Sequence, residues 1–313
     1  MMTSLAARAE VVKLARELHT APEDLEFLLE SDPQAVRQFR RGLHRGLDAK
    51  HRPMFDRLAK ASALLPNSLA VTIATRFFGP VLCGMIAPSL SPERAQSLIG
   101  HVPMRFLADL APYVDPEAAT PIVSALDVEV MVPVMREMLR RKDYVTLARF
   151  LVAATDQQLL EVLPHIDSGA DMLLVAFNVE LDTVSDRFET VMAALPEERI
   201  REIMQAGYEQ DMVVEALTFL QFLSTETLGR VADIVAEMDT EILTHMVETA
   251  HRENAWAELI PITLAMSEKY RMRLAELEVW DEEKIAAIMR VAERNGLSAE
   301  LEQLITAVEG SRD

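Results

Sequence analysis

The stretch that decides the fold reads LPEERIREIMQAGYEQDMVVEALTF over residues 195–219, and residues 238–262, MDTEILTHMVETAHRENAWAELIPI, follow the same pattern. At this offset of 43 residues, acidic positions coincide with acidic ones and apolar with apolar ones: Glu198 with Glu241, Ile200 with Leu243, and Phe219 with Ile262. Further back in the chain, an offset of 40 residues relates Asp127 to Asp167. A period near 40 residues is typical of stacked helical repeats, in which one unit cannot bury its apolar face alone. The region from Ser91 to Met266 therefore predicts an α-solenoid.

The composition of the whole chain favours helices. Half of the 313 residues are apolar and 26% are charged, which is typical of a folded protein. Only 10 residues are glycine, so tight turns and phosphate-binding loops are few, and the abundant Met, Leu, Ala and Glu favour helix. We expect an all-α protein, namely a right-handed superhelix of about fifteen short antiparallel helices like those of armadillo and HEAT proteins.

The charge is negative overall and unevenly distributed. A net charge of −19 argues against a general nucleic-acid-binding protein, which needs a basic surface for phosphate. Residues 1–60 nevertheless carry 11 Lys and Arg against 9 Asp and Glu. The single cysteine, Cys83, excludes an internal disulfide framework and suits a reducing compartment. Because the N-terminus also lacks the apolar core of a signal peptide, we expect a cytoplasmic protein.

Four regions follow from the charge pattern and the helix-start signals. Residues 1–60 form a basic helical region, in which Asp32-Pro33 predicts a helix over residues 33–47. Residues 61–90 contain one charge, Arg76, and predict an apolar helical hairpin whose prolines and glycines exclude a continuous spanning helix. We expect this hairpin to be buried, and contact with a membrane surface is the alternative. Residues 91–274 form the repeats, and residues 275–313 predict capping helices.

Several repeat helices open with a capping residue, a proline and an early carboxylate. The segments are Ser91-Pro92-Glu93-Arg94-Ala95, Val114-Asp115-Pro116-Glu117-Ala118-Ala119 and Leu195-Pro196-Glu197-Glu198-Arg199. These segments, which cover about the middle half of the chain, resemble the intracellular N-terminal domain of the MgtE magnesium transporters and, more loosely, the armadillo-like helices of the flagellar switch protein FliG. The resemblance implies an acidic helical domain that helps to sense magnesium. In that family, sensing also involves a pair of cystathionine-synthase-type domains and a membrane pore, for which this sequence has no room, so transport is not expected.

Catalytic motifs are absent from the sequence. It contains no GxGxxG, GK[ST], GxSxG or HExxH pattern. Cys83 lies among apolar residues, where a thiol behaves as a small hydrophobe. Glu248 and His251 have the Glu-x-x-His spacing of di-metal bundles, but no second pair accompanies them, and we interpret them as residues on the exposed side of a repeat helix. We expect neither an enzyme nor a cofactor.

A divalent-cation site is the one metal site that the sequence suggests. Mg²⁺ needs only one or two protein carboxylates together with water. Four aspartates lie around one predicted inter-helix turn: Asp167, Asp171, Asp182 and Asp186. Helix capping and solubility also explain each of them individually, so both interpretations stay open.

Two groups of residues are candidates for binding a partner. Basic residues precede the apolar hairpin and could dock an acidic partner or an anionic membrane, or pair with the acidic remainder of the chain: Arg37, Arg40, Arg41 and Arg45. Aromatic and methionine side chains could adapt to varied partners, or form the core between helices: Phe77, Phe78, Met212, Phe219 and Phe222.

Repeats without catalytic motifs favour a binding protein. We expect a non-enzymatic scaffold that holds a protein partner, or another copy of itself, on the concave face of its solenoid. One alternative is a sensor of a small ligand or of a divalent cation such as Mg²⁺. A second alternative is a peripheral lipid-associated protein that uses residues 37–90, where the basic cluster precedes the apolar stretch.

Overall fold

The structure, a computed structural model, describes residues 10–15, 18, 20–179 and 181–297, with their side chains except those of residues 41, 43–50, 181–185, 214, 215 and 218. The chain is 76% helical, and the described part contains no strand, so the prediction of an all-α protein is confirmed. The chain divides into two compact units, Met1–His165 and Ile166–Asp313. This division falls inside the region 91–274 that the sequence predicts as one array.

The first unit consists of helices joined by short turns. Its α-helices are α1 (Pro33–Ser62), α2 (Asn67–Ile73), α3 (Gly79–Ile86), α4 (Pro92–Ile99), α5 (Met104–Leu110), α6 (Thr120–Val123), α7 (Val128–Arg140), α8 (Tyr144–Phe150) and α9 (Asp156–Val162). A π-helix, Ala74–Phe78, lies between α2 and α3, and 3-10 helices occur at Pro22–Leu28, Ala87–Ser89, Ala111–Tyr113 and Leu163–His165. Residues 10–15 are also helical. Because the apolar region is divided into several short helices, the described residues form more helices than predicted.

Helix α1 is longer than the sequence predicts. It begins as expected, with the Asp32 carboxylate accepting a hydrogen bond from the Gln34 N–H at 3.0 Å. However, it continues through Pro53 to Ser62 instead of ending at residue 47. Proline inside a helix removes one backbone hydrogen bond, and the burial of Phe55 and Ala59 beyond it offsets that loss. One helix thus runs from the basic region into the apolar region.

The core of the first unit fixes α3 on two sides. Ile86 of α3 packs with Phe55 and Ala59 of α1 in one apolar cluster. On another side, a Cβ atom at Gly84 would lie 2.7 Å from the Leu110 carbonyl oxygen and 2.7 Å from the Tyr113 Cβ. Only glycine fits such a close approach of two backbones. Helix α3 is therefore held tightly between α1 and α5.

In the second unit, alternate helices along the chain pack against one another. The helices are α10 (Gly169–Phe177), α11 (Leu181–Ala194), α12 (Glu197–Glu209), α13 (Val213–Leu220), α14 (Thr225–Ala236), α15 (Thr240–Arg252), α16 (Trp256–Ala265), α17 (Glu268–Ala275) and α18 (Glu282–Asn295). Helix α10 packs on α12, α12 on α14, α14 on α16, and α16 on α18. Glycine permits two of these contacts. A Cβ atom at Gly169 would lie 2.5 Å from the Glu202 carbonyl oxygen, and one at Gly229 would lie 3.0 Å from the Ala265 carbonyl oxygen.

Arginines connect successive helices through the backbone. Arg230 donates to the carbonyl oxygens of Met192, Ala193 and Leu195 at 3.2, 3.1 and 2.5 Å. Arg273, 43 residues later, donates to those of Ala236 and Met238, and in the first unit Arg149 donates to those of Pro112 and Val114 at 3.1 and 3.2 Å. The last carbonyl oxygens of a helix lack hydrogen-bond donors within the helix, and each guanidinium donates hydrogen bonds to such oxygens. We call this arrangement an arginine joint.

Candidate docking surface

An arginine joint also fixes the turn between α1 and α2. Arg94 of α4 donates to the carbonyl oxygens of Ser62 and Leu65 at 2.5 and 2.9 Å, and to the Asn67 Oδ1 at 2.6 Å. Asn67 in turn donates from its Nδ2 to the Ser97 carbonyl oxygen at 2.9 Å. The sequence marks Arg94 only as part of a helix start, because its backbone acceptors lie about 30 residues earlier and carry no motif. The turn is therefore anchored to α4 at both of its ends.

Leu64 projects from this anchored turn, with 86% of its surface exposed. It directly precedes Leu65, whose carbonyl oxygen accepts from the joint arginine. In the joints of Arg230 and Arg273, the residue before the corresponding acceptor is Ala194 or Glu237, and both are exposed. In the joint of Arg149 this residue is Tyr113, which is half-buried. The geometry of the joint thus accepts a small or a charged residue, and nothing in the fold requires leucine there.

The π-helix presents a second exposed apolar group. Phe77 is 78% exposed, and neighbouring Phe78 is also accessible. Their backbone is nevertheless ordered by hydrogen bonds, since the Gly79 N–H donates to the Ala74 carbonyl oxygen, the spacing of a π-helical turn. The thiol of Cys83 donates to the same oxygen at 3.6 Å. Burial raises the pKa of the Cys83 thiol to about 11, so the thiol keeps the proton that it donates.

Gly79 turns the chain from the π-helix into α3. Its φ of 72° is a conformation that residues with a side chain rarely adopt. Beyond it, Leu82 and Met85 face the cluster around Phe55, whereas Val81 is exposed. Helix α3 therefore has one face in the core and one apolar residue outside it.

The charged residues within this part of the sequence are all positive, and the exposed carboxylate of Glu93 follows directly after it. From Arg57 to Pro92 the sequence contains three basic residues and no acidic one, although the whole chain has a net charge of −19. The nearest preceding carboxylate, Asp56, accepts a hydrogen bond from the Ser89 hydroxyl at 2.6 Å. We define the docking region as the exposed basic and large apolar residues of this part of the chain: Arg57, Lys60, Leu64, Leu69, Arg76, Phe77, Phe78 and Val81.

The apolar region is much less buried than the sequence suggests. Among the described residues, the stretch Asn67–Ser89 is long and apolar enough, by length and composition alone, to cross a membrane, and 17% of its most apolar window is buried. In α2 and α3 the buried residues are Ala70, Gly84 and Ile86. Most of the other residues in this stretch are half-buried, and Leu69, Phe77, Phe78 and Val81 are exposed, so core packing explains only part of the apolar composition.

Two of the four basic candidates bind a buried carboxylate of the same chain. Arg37 donates to one oxygen of Glu10 at 3.0 Å, and Arg40 donates to the other at 3.4 Å. Glu10 and Arg40 are buried, as is Lys13, which lies 3.6 Å from Glu10. The side chains of the remaining candidates, Arg41 and Arg45, lie outside the described part of the chain.

The apolar candidates of the second unit are divided between core and surface. Phe219 is buried, and its ring lies 6.0 Å from that of Phe188. Met212 is half-buried, whereas Phe222 is 43% exposed. Of these three, Phe222 alone offers a large accessible apolar surface. The sequence pattern did not show that Phe222 is exposed whereas Phe219 is buried.

The metal candidates do not form a cluster in the described part of the chain. Its residues contain no group of three or more His, Cys, Asp or Glu side chains that could hold a metal ion. The Asp171 N–H donates to the Ser168 hydroxyl at 3.3 Å, at the start of α10. Asp186 is exposed on α11, and the side chain of Asp182 is not among those described. Glu248 is exposed, whereas His251 lies beside Trp256, with 5.9 Å between the ring centres.

Comparison with protein-family models, with curated proteins and with solved structures gives no match for this chain. The likeness to magnesium-transporter and flagellar-switch helices therefore stays a prediction, and the functional interpretation depends on the docking region itself.

Proposed function

We propose that the protein is a non-enzymatic binding protein that docks on its target through the docking region. The observation that carries this proposal is the exposure of Leu64 and Phe77 on a backbone that hydrogen bonds hold in place. Exposed apolar patches on folded proteins mark interaction sites. Here the exposed side chains are large, close in sequence and accompanied by basic residues.

Burial of these side chains would yield substantial free energy. Full burial of a Leu or Phe side chain contributes about 1.5–3 kcal/mol relative to its exposure to water. The joint of Arg94 keeps the turn of Leu64 ordered, so binding requires little further loss of backbone entropy. Equivalent joints place Ala194 and Glu237 where this one places Leu64, which favours a role for leucine outside folding.

In this proposal, the helical repeats are the scaffold that carries the docking region. Alternate helices of the second unit pack in succession, and joints recur at Arg230 and Arg273, which supports the solenoid interpretation. The concave-face candidates are less favoured as a docking surface because Phe219 belongs to the core. No catalytic role is assigned to Cys83, because its raised pKa disfavours the reactive thiolate.

A photo-crosslinking amino acid at position 77 tests the proposal in living cells. Phe27 provides a matched control, because it is 72% exposed and lies near Glu23, Asp24 and Glu26 instead of basic residues. We expect a specific adduct from position 77, with either a protein or a lipid, which Leu64→Glu reduces, and no such adduct from position 27. Equal crosslinking at the two positions would refute a specific docking surface.

A further inference from the structure

We propose that the docking region binds the surface of an anionic lipid bilayer. This inference rests on the proposed function and names the target. Exposed apolar side chains would enter the boundary between headgroups and acyl chains, while Arg57, Lys60 and Arg76 contact lipid phosphates and carboxylates. Lysine and arginine suit this position because their apolar stems lie in the interface and their charges stay at the headgroups.

The charge pattern favours an anionic target. Positive side chains near an anionic leaflet each contribute to binding, and acidic side chains in the same surface would oppose it. The docking region contains three positive residues and no acidic one. An unselected surface of a chain with 50 Asp and Glu among its 313 residues would include carboxylates. Their absence over the residues from Arg57 to Pro92 matches the chemistry of a phospholipid surface.

The shape of the apolar groups favours lipid over a protein partner. Leu64 projects from a turn and Phe77 from the end of a π-helix, with 86% and 78% of their surfaces exposed. Protein interfaces bury their strongest anchors in complementary, well-packed pockets. A bilayer requires no complementary pocket, because its interior adapts to any projecting apolar group. Projecting side chains with basic neighbours therefore suit a bilayer surface.

The fold also determines that this contact is peripheral. A spanning helix needs about 20 consecutive apolar residues in one continuous helix. Here Gly79, with its φ of 72°, interrupts the stretch, and Arg76 lies close to its middle. Gly84 is in close contact with the backbone of the 3-10 helix Ala111–Tyr113, and Ile86 is in the core. Helix α3 cannot leave these contacts without disrupting the first unit, so the region rests on the membrane.

Flotation of the full chain with vesicles tests this inference. The vesicles contain phosphatidylcholine alone or phosphatidylcholine with about 30% phosphatidylserine, which gives an anionic surface. We expect binding to the anionic vesicles at low salt, little binding to the neutral ones, and release at about 0.5 M salt, where the charges are screened. Failure to bind anionic vesicles at low salt, or equal binding to both kinds, would overturn the inference.

Matched variants locate the contact. Phe77→Ser should weaken binding at least tenfold through the loss of apolar insertion. The triple variant Arg57→Gln, Lys60→Gln and Arg76→Gln should weaken it about 100-fold, since each basic residue near an anionic surface contributes about fivefold. Phe27→Ser, at an equally exposed aromatic, should bind like the wild type. Equal losses in Phe27→Ser and Phe77→Ser would overturn the assignment of the surface.

Leu64→Glu separates binding from folding. It places in this joint the residue type that Glu237 provides in another, so the thermal unfolding followed by circular dichroism should be unchanged while flotation falls at least tenfold. The lipid inference and the proposed function can also fail separately. A protein adduct of defined mass at position 77, together with no flotation, would overturn the lipid target and support docking. Neither adduct nor flotation would overturn both.

Discussion

Replacement of Arg94 by alanine should loosen the turn that carries Leu64. The guanidinium makes three hydrogen bonds, to the carbonyl oxygens of Ser62 and Leu65 and to the side chain of Asn67. A hydrogen bond to a charged group contributes about 1.5–3 kcal/mol when its partner is buried. Because the freed carbonyl oxygens lie near the surface and can bind water, we expect a total loss of about 3 kcal/mol in the free energy of unfolding.

The assay combines equilibrium unfolding in urea with amide hydrogen exchange. The N–H groups of Leu64 and Leu65 donate to the carbonyl oxygens of Ala61 and Ser62 at 3.1 and 3.2 Å. Their exchange reports on local opening of the turn, and it should accelerate about 100-fold in Arg94→Ala if the joint provides about 3 kcal/mol. Arg94→Lys keeps the charge without the planar fork and should recover part of the loss.

Arg105→Ala is the matched control, because Arg105 is exposed on α5. Exposed substitutions of this kind change stability by less than about 0.5 kcal/mol. If Arg94→Ala and Arg105→Ala had the same effect on unfolding and on exchange at the turn, the arginine joint would not be what orders it. Complete recovery by Arg94→Lys would show that charge, and not the geometry of the guanidinium, is responsible.

Three further predictions concern single residues. Gly79→Ala should destabilise the protein by about 1–3 kcal/mol because of the φ of 72°, whereas Gly100→Ala, in helical conformation with no atom near its Cβ, should not; thermal unfolding compares them. Burial lowers the pKa of Lys13 from 10.5 to about 8, so the unfolded chain binds more protons at this residue between these values and Lys13 should make stability rise with pH there by about 3 kcal/mol, which Cys83 with its raised pKa opposes above pH 9. Lys13→Met should abolish that rise in urea titrations at pH 7 and above, and an unchanged rise would contradict the assignment. With a pKa of about 11, Cys83 should react with iodoacetamide at pH 8 about 100-fold more slowly in the folded chain than in urea, as mass spectrometry would detect; equal rates would show that the thiol is not buried.

The helical class was predictable because it depends on local composition. Low glycine content, apolar periodicity and caps such as Asp32-Pro33 act within a few residues, and each favours helix independently of the rest of the chain. The end of α1 was not predictable in the same way. Pro53 suggests a break by local rules, and the core cluster of Phe55 and Ala59 with Ile86, which lies 33 residues after Pro53, overrides it.

The docking region was predictable only in part. Phe77 and Phe78 were recognisable as adjacent aromatics, and the uncharged stretch was visible in the composition. Leu64 was not distinguished, because an apolar residue within the run Ala63-Leu64-Leu65 looks like any other core residue. Its exposure depends on Arg94, whose acceptors are backbone carbonyl oxygens and leave no trace in residue type. The same reason concealed the joints of Arg230 and Arg273, although the offset of 43 residues between them was already present in the sequence.

The joints show how the protein can present apolar side chains without losing stability. In each joint the arginine binds the backbone, whereas the surroundings of the side chain that precedes the last acceptor vary, since Tyr113 is half-buried and Glu237 accepts hydrogen bonds from Arg201 and Tyr270. The accepting residues Leu195 and Met238 are buried, whereas the preceding Ala194 and Glu237 are exposed. Leu64 occupies this position and is 86% exposed, so a change of its side chain alters the surface but not the hydrogen bonds of the joint. A binding surface can therefore arise at such a joint through substitutions that folding neither opposes nor requires, which is why Leu64→Glu is expected to affect membrane binding alone.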